Sequence, residues 1–381
     1  MLKLALMTRN SLAAQAIEQI VQETDLLRFA ALLDPSAPMH DSLRSLSVSK
    51  PELILVDLAD WEMLKPLLKG GSGSQTRWVG FAPDWDINEE LIFTEAGISR
   101  LLREPFGPKD LERAAFEAFH AGEAEIRRGF WAFLPSKAGA GCSTLVLNTA
   151  RILQQEARTE VLLMEADCRS GSFSLLMDLH PRRCINDALE AASEMTTLDW
   201  HQYHLDLSGV HILPADPTKP GRTPSWSDYH HLLRFVQNRY KSIFVDLPEA
   251  VDEASTEVVR CAEHVFVVCT PEIPSLKLAE VRCQDLLNRG VPRERIQLIV
   301  TRYKRDELSL ADIEKNLGWP VYASIANDYR SVRSSILEAR LVSEDSLFGK
   351  DCRALAQKLS GIAESAPMLS PLGRLSRLIA K

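Results

Sequence analysis

The chain has 381 residues, of which 45% are hydrophobic and 25% are charged, and its formal net charge is -8. This length predicts two or three domains, and the composition is typical of a globular protein rather than a disordered or fibrous one. The negative charge argues against nucleic acid as a partner, because nonspecific binding depends on Lys and Arg neutralising phosphates.

The seven cysteines show no metal-ligand spacing, which indicates reduced thiols in a cytoplasmic protein. The apolar run in residues 1–7 is too short for a signal peptide. No apolar run approaches the roughly 20 residues that cross a bilayer. We therefore expect a cytoplasmic location.

Residues 1–120 alternate strand-like apolar runs with helix-like segments. This alternation predicts an α/β domain with a doubly wound parallel sheet. Ser11 is the expected N-cap of the first helix. The predicted strands are residues 2–7, 29–33, 53–57, 77–81 and 99–102, and the predicted helices are residues 11–22 and 109–120.

Asp57 ends the third predicted strand, and Glu104-Pro105-Phe106 follows the last one. This arrangement resembles the receiver domain of response regulators, which has a phosphorylated aspartate and a Lys-Pro-Phe run at these places. The family's acidic pair is replaced by Thr8-Arg9-Asn10, and its hydroxyl by Ala82. Without those groups, Mg²⁺ and a phosphoryl charge lose their partners. We predict a pseudo-receiver in which Asp57 has a structural role.

A charged linker, residues 121–129, precedes a second predicted domain, residues 130–365. Its apolar strand, residues 130–134, leads through a loop of small residues, 136–141, into a helix. This is the context of a phosphate-binding loop, because glycines let backbone N–H groups face an anion at a helix N-terminus. A plain Gly-rich turn is the alternative for this loop alone.

The loop reads Lys137, Ala138, Gly139, Ala140, Gly141, Cys142, Ser143, Thr144. This order resembles the deviant Walker A loop of the ParA/MinD ATPases. The resemblance implies that these residues bind ATP, that Lys137 acts catalytically on the nucleotide of a partner subunit, and that Ser143 binds Mg²⁺. Cys142 stands where the standard motif has its second lysine, so we expect weak or absent hydrolysis.

Carboxylates end two further apolar strands. Glu165 and Asp167 resemble the D-x-D pair of the same superfamily, which implies that Asp167 positions the attacking water. Asp246-Leu247-Pro248 resembles its switch II motif, with Ala250 replacing the glycine, which implies that Asp246 serves catalysis and the metal ion. Ordinary strand ends are the alternative for both.

Thr301-Arg302 follows a later strand, at the place where the superfamily has Asn-Arg and the asparagine reads adenine. The resemblance implies that Thr301 and Arg302 contact the nucleotide. A hydroxyl cannot make the paired donor and acceptor contact of an amide. The selectivity for the base is therefore left open.

Together with the closing run 327–332, these motifs make the chain similar to the TadZ/CpaE family of the Tad (Flp) pilus machinery. The resemblance implies two doubly wound α/β domains, a homodimer that binds ATP and Mg²⁺, contact with pilus components such as the secretion ATPase, and polar localisation peripheral to the inner membrane. A ParA/MinD-type partition or division-site ATPase is one alternative. A structural module with a dead nucleotide site is another.

Residues 366–381 form a predicted tail. Within it, residues 371–381 place leucine and isoleucine on one helical face and Arg or Lys on the other. Such a short amphipathic helix predicts weak contact with a membrane surface. A tail packed on its own domain, or a disordered one, is the alternative.

Overall fold

The structure is a computed structural model that describes residues 1–70, 76–120, 127–219, 222–304 and 308–361. The chain divides into two compact units, Met1–Ala124 and Glu125–Lys381. Most of the predicted linker and the whole tail 366–381, with its amphipathic segment, lie outside the described residues. No helix in the described ranges combines the length and the hydropathy that a membrane span requires.

The first unit is a five-stranded sheet in the order β2-β1-β3-β4-β5, and every neighbouring pair is parallel. This is the flavodoxin-like order 2-1-3-4-5. Its elements are β1 Leu2–Met7, α1 Ser11–Gln22, β2 Leu27–Leu33, α2 Met39–Ser49, β3 Leu53–Asp57, α3 Trp61–Gly70, β4 Arg77–Ala82, α4 Ile87–Glu95, β5 Arg100–Arg103 and α5 Pro108–His120.

The start of α1 differs from the prediction by one residue. The N-cap is Asn10 rather than Ser11, and its Oδ1 accepts hydrogen bonds from the backbone N–H groups of Leu12 and Ala13, at 3.1 and 3.2 Å. Both residue types are good caps. Asn10 takes the position because its backbone is extended, with φ -81° and ψ 103°, and Ser11 is already helical.

The second unit is an eight-stranded sheet in the order β13-β12-β11-β6-β10-β7-β9-β8, in which only β8 is antiparallel to its neighbour. Its elements are β6 Arg127–Pro135, α6 Cys142–Ala157, β7 Val161–Glu165, α7 Phe173–Leu176, α8 Ile185–Ala191, α9 Thr197–Trp200, β8 Leu205–Leu207, β9 Val210–Leu213, α10 Trp226–Gln237, β10 Ser242–Asp246, α11 Glu253–Cys261, β11 Ala262–Cys269, α12 Ile273–Asn288, β12 Ile296–Tyr303, α13 Leu310–Leu317, β13 Val321–Ala326, α14 Tyr329–Leu337 and α15 Leu347–Leu359.

Helices cover both faces of this sheet, so the predicted doubly wound α/β class is confirmed. Apolar side chains of α6 and α15 pack on one face, and those of α8 and α10 to α13 pack on the other. The strand β6 alternates between the faces, with Trp131 and Phe133 on the α6 side and Phe130 and Ala132 on the other. Its central place, between β11 and β10, puts the loop that follows it beside the carboxyl ends of both neighbours.

The two edges of the second sheet are short or covered. The edge strand β8 has three residues. On β13, the Lys358 ammonium of α15 donates to the Tyr322 carbonyl at 2.8 Å, and the Asp351 carboxylate accepts from the Ala326 N–H at 2.7 Å. The edge at β8 is therefore short, and side chains occupy part of the backbone edge of β13, both of which disfavour pairing with another strand.

Candidate nucleotide-binding site

The loop between β6 and α6 has the backbone shape that an anion site needs. Gly139 and Gly141 have φ of +76° and +86°, in the left-handed region where a side chain is strained. A Cβ on either glycine would meet nothing within 4 Å, so backbone conformation rather than crowding favours glycine here. The left-handed turns direct successive amides to one side of the loop.

The N-terminus of α6 carries no protein cap. Gly141 is its N-cap, no side chain hydrogen-bonds to the cap, and the first turn has no acidic residue. The first amides of a helix have no partner within it, and they carry the positive end of the helix dipole. Among the described residues, this helix start is thus open to an anionic ligand.

Thr301 and Arg302 make hydrogen bonds to backbone carbonyl groups of the loop between β6 and α6. The Thr301 hydroxyl is buried and lies 2.6 Å from the Ala140 carbonyl oxygen and 3.1 Å from that of Cys269. The Arg302 guanidinium donates to the Gly139 carbonyl at 2.8 Å. Both residues were predicted to contact the nucleotide, and here they fix the carbonyls of the loop so that its amides face the opposite way.

Asp246 ends β10 beside the start of α6. It is 4% exposed, and its Oδ1 has no hydrogen-bond partner among the described residues. Burial raises the pKa of its carboxyl to about 6, with a smaller rise from the nearby Asp167, while hydrogen bonds from Ser143 and Cys142 lower it. A buried carboxylate with an unused oxygen beside a hydroxyl fits a hydrated Mg²⁺ held jointly with phosphates.

Cys142 is itself buried, and burial together with Asp246 raises the pKa of its thiol well above the ordinary value. The side chain is therefore neutral and brings no cation to the loop.

Glu165, the first carboxylate of the pair after β7, has a structural role. It is 1% exposed and accepts hydrogen bonds from the N–H groups of Ser172, of Phe173 at 2.8 Å and of Ala215 at 2.8 Å. Burial raises the pKa of its carboxyl to about 7 although these bonds lower it. Gly171 is required beside it, because a Cβ there would lie 2.7 Å from the carboxylate carbon.

Asp167, the second carboxylate, is partly exposed. Its Oδ1 accepts from the N–H groups of Arg169 and Ser170, at 3.2 and 2.9 Å, which fixes the turn that follows. It lies close enough to Asp246 to raise the pKa of that carboxyl. The structure therefore brings the two predicted catalytic carboxylates to the same edge of the sheet as the loop.

Two acidic residues that the sequence analysis missed contact the start of the loop. Lys137 Nζ lies 3.4 Å from the Glu272 carboxylate, which precedes α12. The Ala138 N–H donates to Glu249 at 3.1 Å, and Glu249 also pairs with Arg282 at 3.3 Å. Glu249 directly follows the Asp246-Leu247-Pro248 run. This position next to the motif was the only signal in the sequence for the contact of Glu249 with the loop. Lys137 thus has an intramolecular carboxylate partner.

A cavity of about 310 Å³ adjoins the loop at Ala140 and Gly141. Thr301, Arg302 and Asn327 supply polar atoms to its wall. The apolar part of the wall comprises Val332, Ile336, Leu337 and Phe348 with Tyr329. The volume lies in the range of small-molecule sites.

Among the residues that the structure describes, no group of three or more His, Cys, Asp or Glu side chains is arranged to hold a metal ion.

In the first unit, Asp57 is buried and hydrogen-bonded. Its Oδ2 accepts from the Thr8 hydroxyl at 2.8 Å, and its Oδ1 accepts from the Ala59 N–H at 3.0 Å. Arg9 pairs with the buried Asp60 at 2.6 Å. Thr8 and Arg9 stand at the positions where the receiver family has its acidic pair, and both make hydrogen bonds to aspartates of this unit. Neither residue supplies a carboxylate that could bind a cation.

No protein-family model matches the chain. By sequence it is similar to the septum site-determining protein MinD of Thermotoga maritima, with 23% identity over 239 residues that cover 61% of this chain and 87% of the relative. This similarity supports homology to the MinD/ParA ATPases.

Solved structures share the fold. A ParA family ATPase from Chlorobium tepidum matches with a TM-score of 0.55 and 20% identity, over 60% of this chain and 98% of its own. MinD from Pyrococcus horikoshii, complexed with Mg-ADP, matches with a TM-score of 0.50 and 18% identity, over 63% and 98%. The α/β fold with parallel sheets is thus that of the ParA/MinD ATPases.

Proposed function

We propose that this chain is an ATP-binding switch of MinD/ParA type that binds Mg·ATP and turns it over slowly. One observation carries the proposal: the uncapped N-terminus of α6 lies beside buried Asp246, one oxygen of which has no partner among the described residues. Amides at that helix start suit phosphate oxygens. Ser143 and Asp246 would hold Mg²⁺, which when bound supplies positive charge to the phosphates.

Slow turnover follows from Cys142. A neutral thiol replaces a cation that would face the phosphates, so the charge that develops in the transition state is stabilised less. Such a loss costs a few kcal/mol, which is on the order of a hundredfold in rate or more. Asp167 would orient the attacking water, and its position beside Asp246 is compatible with that role.

Dimerisation is the second part of the proposal. Lys137 is 34% exposed and Glu272 is 58% exposed, so their contact is a weak surface ion pair. The lysine can leave it at little cost and reach the phosphates of a second copy. A nucleotide that binds only the paired state would then stabilise the homodimer by its differential affinity.

Calorimetric titration with Mg·ATP and Mg·ADP, followed by sedimentation with each nucleotide, tests this proposal. We expect both nucleotides to bind and ATP to favour the dimer. Lys137→Ala should lower the dimer fraction, and Lys277→Ala, which removes an exposed lysine on α12, should leave it unchanged. Absence of both heat and thermal stabilisation with either nucleotide would reject the proposal.

At the finer level we propose a localisation and assembly role in the Tad (Flp) pilus system, with a secretion ATPase among the partners and a polar position in the cell. The support is the joint resemblance of the loop, the Asp246 motif and the receiver-like first unit, whose sheet has the flavodoxin-like strand order 2-1-3-4-5. The first unit would dock to a partner rather than accept a phosphoryl group.

A division-site positioning ATPase is the second candidate, and the similarity to MinD favours it. Deletion of the gene separates the two. Loss of surface pili with normal septum placement would support the pilus role, and misplaced septa with normal pili would support the positioning role.

A further inference from the structure

An amide near the start of the loop between β6 and α6 already binds an anion that the chain itself supplies. The Ala138 N–H donates to one carboxylate oxygen of Glu249 at 3.1 Å, and the Arg282 guanidinium of α12 donates to the other oxygen at 3.3 Å. Two donors from separate elements thus converge on one carboxylate. Because a phosphate group also presents several acceptor oxygens, the same two donors suit a phosphate.

Arg282 has more hydrogen-bonding capacity than Glu249 uses. Its side chain is 18% exposed, and its buried Nε has no partner among the described residues. A guanidinium can engage a carboxylate through two parallel hydrogen bonds. Arg222 and Asp228 in the same unit pair in this way, with both contacts at 2.7 Å. Compared with that pair, the 3.3 Å contact of Arg282 leaves its guanidinium incompletely satisfied.

Glu249 can leave its place at low cost. Its side chain is 44% exposed, and it lies in the segment between β10 and α11. A half-exposed ion pair contributes little to stability. Ala138 is exposed as well, so a ligand can approach its N–H from solvent. A phosphate at this N–H would repel the carboxylate, since both groups are anionic. Glu249 is thus a competitor that such a ligand has to displace.

We propose that the Ala138 N–H and the Arg282 guanidinium form a subsite for the terminal phosphate of a nucleoside triphosphate, and that Glu249 competes with that phosphate. Ala138 precedes Gly141, the N-cap of α6, by most of the loop, so this subsite is separate from the helix start that suits the inner phosphates. Arg282 also brings a positive charge to a loop in which Cys142 is neutral. This inference rests on the proposed nucleotide binding.

Calorimetric titration of the full chain with Mg·ATP and Mg·ADP tests the subsite. Glu249→Gln keeps the shape of the side chain and removes the competing charge, so the affinity for Mg·ATP should rise about five- to thirtyfold. The affinity for Mg·ADP, which lacks the third phosphate, should stay nearly unchanged. Glu253→Gln removes an exposed carboxylate at the start of α11 and should alter neither affinity.

A second substitution isolates the arginine. Arg282→Gln in the Glu249→Gln background should lower the affinity for Mg·ATP about tenfold, because it removes a charged hydrogen bond to the phosphate and leaves no carboxylate without its partner. Unchanged or weaker binding of Mg·ATP by Glu249→Gln, or an equal gain for Mg·ADP, would overturn the inference and leave the nucleotide switch intact. Failure of the parent and of every variant to bind either nucleotide would instead reject the proposed function, and the subsite with it.

Discussion

Replacing Asp246 by asparagine should stabilise the protein at neutral and alkaline pH. The pKa of this carboxyl is raised from 3.8 to about 6, chiefly by burial. Because one pKa unit corresponds to about 1.4 kcal/mol, the ionised group costs up to about 3 kcal/mol of folding free energy above pH 6. An asparagine avoids that cost and keeps one acceptor oxygen, so it loses at most one of the hydrogen bonds from Ser143 and Cys142, which costs about 1 kcal/mol, and we expect a net gain of about 1–2 kcal/mol at pH 8.

The sign of the pH dependence follows from the direction of the shift. The folded protein binds the proton more tightly than the unfolded chain, so stability from this group is present below pH 3.8 and is lost as the pH rises through about 6. The ionisation cost that Asp246→Asn avoids should therefore be about half as large at pH 5 as at pH 8, so the net gain should be clearly smaller at pH 5.

Scanning calorimetry of the full chain at pH 5, 6, 7 and 8 measures this effect, and it resolves the transition of the second unit from that of the first if they unfold separately. A matched variant, Asp285→Asn, removes the surface ion pair with Arg289 and should cost at most about 1 kcal/mol at every pH. A gain for Asp246→Asn that is absent at pH 8, or equal at pH 5 and pH 8, would refute the reasoning.

Three further substitutions test the surroundings of the loop. Thr301→Val leaves the buried Ala140 carbonyl without its donor, and we expect urea unfolding to show a loss of about 1–3 kcal/mol together with weaker nucleotide binding. An unchanged midpoint would speak against this contact. Gly171→Ala places a methyl group 2.4 Å from its nearest neighbour and should cost about 1–3 kcal/mol by the same measurement, whereas Gly97→Ala, with an open but left-handed site, reports strain alone. Glu272→Gln releases Lys137 from a half-exposed ion pair and should raise the ATP-dependent dimer constant about two- to fivefold in sedimentation. A lower constant would mean that the pair supports the dimer.

The sequence predicted the features that depend on neighbouring residues. Apolar runs bounded by small residues gave the strands and the alternation that defines the α/β class, because burial on both faces of a parallel sheet leaves a continuous apolar signature. The position of Asp246 and Asp167 was predictable for the same reason, since a carboxylate that ends an apolar run lies at the carboxyl edge of such a sheet.

Contacts between distant residues were not predictable. The Thr301 hydroxyl donates to a carbonyl 161 positions earlier in the chain, whereas the resemblance at this position had implied a contact with the nucleotide. Nothing in the sequence around Glu272, which precedes α12, indicated its contact with Lys137. The apolar wall of the cavity joins α14 to Phe348 of α15, and no local pattern distinguishes these side chains from ordinary packing residues.

The two edge strands of the eight-stranded sheet, β8 and β13, limit how two copies of this chain can associate. One border is a strand of three residues, and at the other the side chains of Lys358 and Asp351 occupy backbone groups that a foreign strand would need. Joining the two sheets into one continuous ribbon is thereby disfavoured. In the proposed homodimer the subunits would therefore associate through helices and loops, and such a contact could form and dissolve with the nucleotide while the sheet hydrogen bonds stay in place.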